Sequence, residues 1–306
     1  MNVREWALPV YTILMQLAVG ALFVLWLVRS FANSRFSPQE LNCINRNPIL
    51  VIALTAVVAM GGSHFHLSRP FHSFLAVLNF RSSWLSREIV FTMLFFLTIL
   101  GLLFITYFRT HRTRLITSLG WMASLFGCVV VYCMARIYLI PTQVAWNSTS
   151  VILSFFVTSL TLGGMTIALL MVLDLKFAEI KKSDDVELRT QVIKHSFAGL
   201  TVMTVFLVAV GAAITFIQVH LLAQGDIVAR TSLSLLVELY MPLLVMRFAF
   251  LFFAAVAMGV AMYRMWQSNV LPQSLMMPVY LSCLLILVGE IIGRFLFYAT
   301  HIRVGI

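Results

Sequence analysis

Charge is what this 306-residue sequence has least of: Asp, Glu, Lys and Arg together make up 10% of it, and only 11 residues are acidic. A soluble domain carries about 25% charged residues, so a water-exposed globule is excluded. Cysteine is also sparse. Cys43, Cys128, Cys133 and Cys283 form no CxxC pair, which removes a disulfide framework and any iron–sulfur ligand set. There is no Gly-rich phosphate loop and no nucleophile elbow. No polar stretch is long enough to build a soluble domain with its own core. The apolar runs do not alternate as barrel strands would.

What is present is apolar. Hydrophobic residues make up 61% of the chain, and the mean hydropathy is +0.98. About 20 apolar residues cross the hydrocarbon as a helix. Eight such runs are predicted, near 8–28, 49–66, 88–108, 115–139, 151–174, 196–221, 241–263 and 277–299. The expected fold is an all-α membrane protein, a bundle of eight transmembrane helices forming one domain over 1–306. The first run follows only Arg4, and Arg29 and Arg35 come after it in place of a small-residue cleavage site. It therefore reads as a retained helix rather than a secretory leader.

The pI of 9.9 reflects loop Lys and Arg rather than a nucleic-acid patch. Twelve of these residues lie in the loops after the first, third, fifth and seventh runs: Arg29, Arg35, Arg46, Arg109, Arg112, Arg114, Lys176, Lys181, Lys182, Arg189, Lys194 and Arg264. The other side holds six: Arg4, Arg69, Arg81, Arg87, Arg230 and Arg303. The positive-inside rule then predicts both termini outside the cytoplasm. The segment from Lys181 to Arg189 carries both signs and reads as a solvated linker.

Glu88, Arg136, Arg247, Glu290 and Arg294 fall in or beside the apolar runs. Charges at such depth are costly and mark functional sites. With the predicted topology all five lie in the outer half of the membrane. Asp174 is the only comparable group near the inner face, at a helix end. Glu290 and Arg294 stand four apart on one helix face and are placed to pair. Gly289 and Gly293 beside them allow a neighbouring helix close. A structural ion pair, with Arg136 and Arg247 as counter-ions, is the plain alternative to a chemical site. His64, His66 and His72 crowd one outer segment ahead of Glu88. A lone histidine there is most simply an interfacial group, yet imidazole and carboxylate at one level can take protons from a buried substrate. His66, His220 and His301 sit near outer helix ends without an evident facing pair, so a b-type haem is not expected.

Four separated stretches carry a resemblance. SHFHLSRPFHSFLAVLNFRSSWLSREI at 63–89 has a His-Leu-x-x-Pro turn, an aromatic, a Leu-Asn pair and Leu-Ser-x-Glu-Ile. EWALPVYTILMQLAVGA, RIYLIPTQVAWNSTS and GEIIGRFLFYATHIRVG agree as well, in the same order along the sequence. The chain resembles the dimethyl sulfoxide reductase membrane-anchor family over essentially its whole length. That resemblance implies an eight-helix anchor which oxidises menaquinol; with the charge count it is expected in the bacterial inner membrane, both termini periplasmic. It implies electron transfer to an iron–sulfur subunit docked on the outer face, then to a molybdopterin catalytic subunit, with no haem or metal in the anchor. The family's quinol-site His and Glu fall on His66 and Glu88. Arg69, His72, Arg136, Arg247, Glu290 and Arg294 complete the candidate quinol-binding set. The sequence departs from the family at Arg69 and at Phe71–His72, where relatives carry a small residue before the Pro and an Arg two residues after it. Arg69 is expected to take that basic role.

Two other classes compete. A secondary transporter would place substrate near the midplane between broken helices of repeated halves. Pro9, Pro48, Pro242 and Pro278 lie near helix beginnings instead, and no internal repeat is evident. A purely structural anchor would lack the quinol site and would not feed electrons to its partners.

Overall fold

The computed structural model describes residues 3–66, 77–267 and 272–302, with side chains over 8–62, 77–267 and 276–302. Every regular element among them is helical, and no strand occurs there. The helices are α1 (Val3–Ala32), α2 (Pro38–Ile44), α3 (Arg46–His66), α4 (Trp84–Phe108), α5 (Thr113–Tyr138) and α6 (Thr149–Ile180). Then come α7 (Val186–Gln224), α8 (Ile227–Ser234), α9 (Met241–Gln267) and α10 (Pro272–Ala299). A π turn, Leu235–Leu239, joins α8 to α9.

Among the described residues, seven helices are long and apolar enough to cross a membrane: α1, α4, α5, α6, α7, α9 and α10. An eighth span is made if Pro38–Ile44 and Arg46–Gly62, bent by 47°, count together. The eight predicted runs thus correspond to α1, α3, α4, α5, α6, α7, α9 and α10. The helices overrun the apolar runs because membrane helices continue into the interface. α7 reaches 39 residues this way. The short helices α2 and α8 are not expected from apolarity, since they are too short to give a hydrophobic period. Local chemistry sets them: Ser37 and Glu40 form a reciprocal capping box on α2, and Asp226 accepts from the Ala229 amide at 2.9 Å to start α8.

The core is built around α1 and α6, the two most buried spans. α1 packs against α3, α5 and α6, while α10 joins α9 to α6, and α4 lies on α5. The α1–α6 crossing is backbone on backbone. A methyl placed on Gly163 would run into the Gly20 carbonyl and the Ala21 amide, and one on Gly20 into the Ser159 carbonyl. Close approach through small residues drives association where lipid removes the hydrophobic difference between helices. Below the crossing, fully buried Trp26 lies over Gly120 and donates its indole N–H to the Thr117 carbonyl at 3.2 Å. Large apolar side chains such as Leu97, Phe104, Phe206 and Phe252 are exposed. On membrane spans this is the lipid-facing surface.

Antiparallel packing puts the start of α1 and the end of α10 together, because Gln16 of α1 bonds Arg294 of α10. The same end receives the end of α3, the start of α4, the end of α5 and the start of α9. The opposite end holds Asp174, which is ion-paired to Arg189 and accepts from Asn47 at 2.6 Å. That end also carries the short basic turn between α4 and α5, where Arg46 donates to Thr110 at 3.1 Å.

Candidate functional site

Ser83 caps α4 by accepting from the Ser86 amide at 3.3 Å, and the helix so started carries Glu88 in its second turn. Glu88 is 5% exposed. Its Oε1 accepts a hydrogen bond from the Tyr11 hydroxyl of α1 at 2.7 Å. No cation forms an ion pair with Glu88 among the described residues. A buried carboxyl usually needs a paired charge, so a carboxyl held by a hydroxyl is uncommon. Such a group can take up a proton without breaking a salt bridge.

Basic groups beside Glu88 are held elsewhere. The Arg87 guanidinium lies 4.2 Å from the Trp84 ring centroid and donates to the Phe80 and Arg81 carbonyls. The Arg136 guanidinium lies 4.7 Å from the centroid of the same ring. Trp84 meets Tyr132 edge-on at 5.7 Å. Trp84, expected as an interfacial anchor, is thus also the surface on which two arginines rest, each a cation–π contact of about 0.5–2 kcal/mol. Arg136 is no counter-ion to a carboxylate among the described residues. Its guanidinium rests on an aromatic face, and its Nε–H has no acceptor among the described residues.

Glu290 and Arg294 form a second cluster. Glu290 does not pair with Arg294 one turn on. Its Oε2 accepts from Thr158 of α6 at 2.7 Å and lies 3.7 Å from the Arg247 guanidinium of α9. The reason is packing: Gly289 and Gly293 bring α9 against α10, and the Arg247 guanidinium lies over Gly293. Spacing along one helix points to the wrong partner because a neighbouring helix reaches in over the glycines. Arg294 turns toward α1, donates to Gln16 Oε1 at 2.6 Å and lies 4.0 Å from the Phe155 ring centroid. Glu290, Arg247 and Arg294 border a cavity of about 90 Å³ between α6, α7, α9 and α10.

Aromatic rings separate the two clusters. Tyr138 of α5 packs against Phe155, Phe297 and Trp146, and its hydroxyl bonds that of Tyr298. Trp146 donates to the Phe297 carbonyl at 2.8 Å, and His301 stacks on Trp146 at 4.6 Å.

The predicted residues therefore fall into two neighbourhoods at one end of the bundle. Glu88 and Arg136 belong to the first; Arg247, Glu290 and Arg294 belong to the second. His66 is the last residue of α3, whose start lies at the Asp174 end, so its backbone lies at the same end of the bundle as Glu88; its side chain lies outside the described residues. Arg69 and His72 also lie outside them. Sequence reasoning misses Tyr11, Gln16 and Thr158, the direct partners of Glu88, Arg294 and Glu290. Tyr11 and Gln16 stand in an apolar run that otherwise lacks polar groups of their size, which is the signal that could have flagged them.

These features define a multi-pass helical membrane protein whose buried ionisable groups gather at a single end, apart from Arg29 and the Asp174 cluster. The sequence matches the model of the DMSO reductase anchor subunit family, DmsC, over residues 1–300, and the chain belongs to that family. It is an anchor subunit of an anaerobic dimethyl sulfoxide reductase-like complex. It is 28% identical to a chain of the anaerobic dimethyl sulfoxide reductase of Haemophilus influenzae, over 100% of this sequence and 98% of that protein. It is 25% identical to YnfH, an anaerobic dimethyl sulfoxide reductase chain of Escherichia coli, over 99% of this sequence and 96% of that one. A shorter similarity, 37% over 60 residues or 20% of this sequence and 18% of the relative, is to a sulfite dehydrogenase subunit of Allochromatium vinosum.

Proposed function

We propose that this anchor oxidises menaquinol at the end of the bundle that carries the chain termini. Electrons pass to an iron–sulfur subunit docked over that end, and from it to a molybdopterin catalytic subunit, which selects the terminal acceptor. The observation that carries the reading is the buried Glu88 carboxyl, held by the Tyr11 hydroxyl and by no cation among the described residues. Menaquinol gives up two protons and two electrons. His66 and Glu88 take the protons, and the electrons leave for the partner's clusters. The redox chemistry belongs to the quinol and to those clusters; the chain binds, orients and deprotonates. Aromatic side chains at Phe80 and Phe91, 6.3 Å apart between centroids, give the ring an apolar wall.

The same reading places the termini outside the cytoplasm. A cysteine introduced at Asn2 should react with an impermeant thiol reagent on intact spheroplasts, and one at Ser183 should not. Labelling at Ser183 with protection at Asn2 would invert the bundle. The anchor is proposed to carry no haem, so a reduced-minus-oxidised spectrum should show no b-type Soret or α band in stoichiometric amount. His301, one of the few histidines near a helix end, already stacks on Trp146.

The test of function compares two donors to the whole complex. A menaquinol analogue should drive turnover through the anchor, and a reduced dye should drive it by feeding the partner subunits directly. A purely structural anchor would support only the dye.

A further inference from the structure

The cavity beside Glu290 has a composition that the quinol site does not account for. At about 90 Å³ it exceeds the ~10–15 Å³ that one water needs. Ser154, Thr158, Thr215 and Gln218 line it together with Arg247 and Glu290. The Nε–H groups of Arg247 and Arg294 are buried and have no acceptor among the described residues. A buried donor without an acceptor is costly, and a polar cavity wide enough for water supplies one. The contacts of Glu290 with Thr158 and Arg247 are both made through Oε2.

Polar groups also lie in the region between this cavity and Glu88. Glu88 bonds Tyr11, and Arg294 bonds Gln16 little more than a turn further along the same helix. The hydroxyl pair of Tyr138 and Tyr298 stands beside Phe155 and Phe297, the rings on which the Arg294 guanidinium lies. A hydroxyl can accept one proton while donating another, which an arginine cannot do.

We propose that the cavity is a hydrated proton-exit chamber and that Glu290 is its relay. The proposal rests on quinol oxidation at Glu88. Menaquinol becomes menaquinone by losing two protons and two electrons. The electrons go to the partner's clusters, and one proton goes to His66. The proton taken by Glu88 passes through the hydroxyl groups and water to Glu290, then to cavity water and out at the terminal end. Glu290 returns to the carboxylate paired with Arg247. Arg247 and Arg294 hold the water and the carboxylate in place; they carry no proton.

The test uses the whole complex with Glu290→Gln and, separately, Thr215→Leu. The second fills the cavity without touching the ion pair, so it decides the matter if the first fails to assemble. Each variant should lower kcat with a menaquinol analogue about tenfold, leave KM within about twofold and raise the solvent deuterium isotope effect, while dye-driven turnover stays unchanged. Unchanged kcat and isotope effect would overturn the proposal. So would a rise in KM alone, which would make the cavity a seat for the quinol ring. Absence of quinol turnover in the unmodified complex would instead overturn the quinol site itself.

Discussion

Glu88→Gln should assemble, stay membrane-bound and lose most of its menaquinol-driven turnover, by about 10²–10⁴-fold. Glutamine keeps the shape of the side chain and still accepts from the Tyr11 hydroxyl, so helix α4 has no reason to move. It cannot take a proton. Because Glu88 forms no ion pair among the described residues, the substitution leaves no orphaned cation there, and a stability loss is not the expected reading. His66→Ala should behave alike, since it is proposed to receive the other proton. Tyr11→Phe should fall between these variants and the unmodified chain. It removes a hydrogen bond to the carboxyl, an interaction of about 1.5–3 kcal/mol when one partner is charged, but leaves the carboxyl itself. Dye-driven turnover of the same preparations checks all three: it should be unaffected. Equal losses with dye and quinol would mean damage to assembly rather than to the site.

The second large effect is structural. Gly163→Leu should prevent the anchor from accumulating in the membrane. A side chain there meets the Gly20 carbonyl and the Ala21 amide, which are backbone and cannot swing aside. Overpacking a side-chain core costs about 1–3 kcal/mol; forcing two backbones apart at the α1–α6 crossing disturbs the centre of the bundle. Gly259→Leu on α9 is the matched control, because nothing lies within 4 Å of a methyl placed there. Quantitative blotting of membranes, with the attached reductase activity, should show loss for the first and near-normal levels for the second.

The contrast between Gly163 and Gly259 illustrates what a sequence can and cannot convey here. The spans are legible because one physical rule, continuous apolarity over about 20 residues, governs them. Which glycine makes a crossing is not, because that depends on a partner helix more than a hundred residues away. The charges behave in the same way. Their restriction to one end is readable from their depth in each run, and the structure gathers Glu88, Arg136, Arg247, Glu290 and Arg294 there. Their partners are not readable. Glu290 finds Arg247 across helices rather than Arg294 at i+4, and Arg136 finds Trp84 rather than a carboxylate. Tyr11 and Gln16 are marked only as isolated polar groups in an apolar run, and Thr158 not even so, because single polar groups in an apolar helix carry no pattern that names a partner. Only the fold reveals what each one touches.

The central claim is that menaquinol is oxidised beside His66 and Glu88, which take its protons while its electrons pass to the partner's clusters. It is tested most directly by following the iron–sulfur clusters of the partner subunit by electron paramagnetic resonance after adding a menaquinol analogue. Reduction should be rapid in the unmodified complex and slower by about two orders of magnitude or more in Glu88→Gln and His66→Ala, while dithionite reduces the clusters fully in all three. Cluster reduction by the quinol at the same rate in the variants as in the unmodified complex would contradict the account.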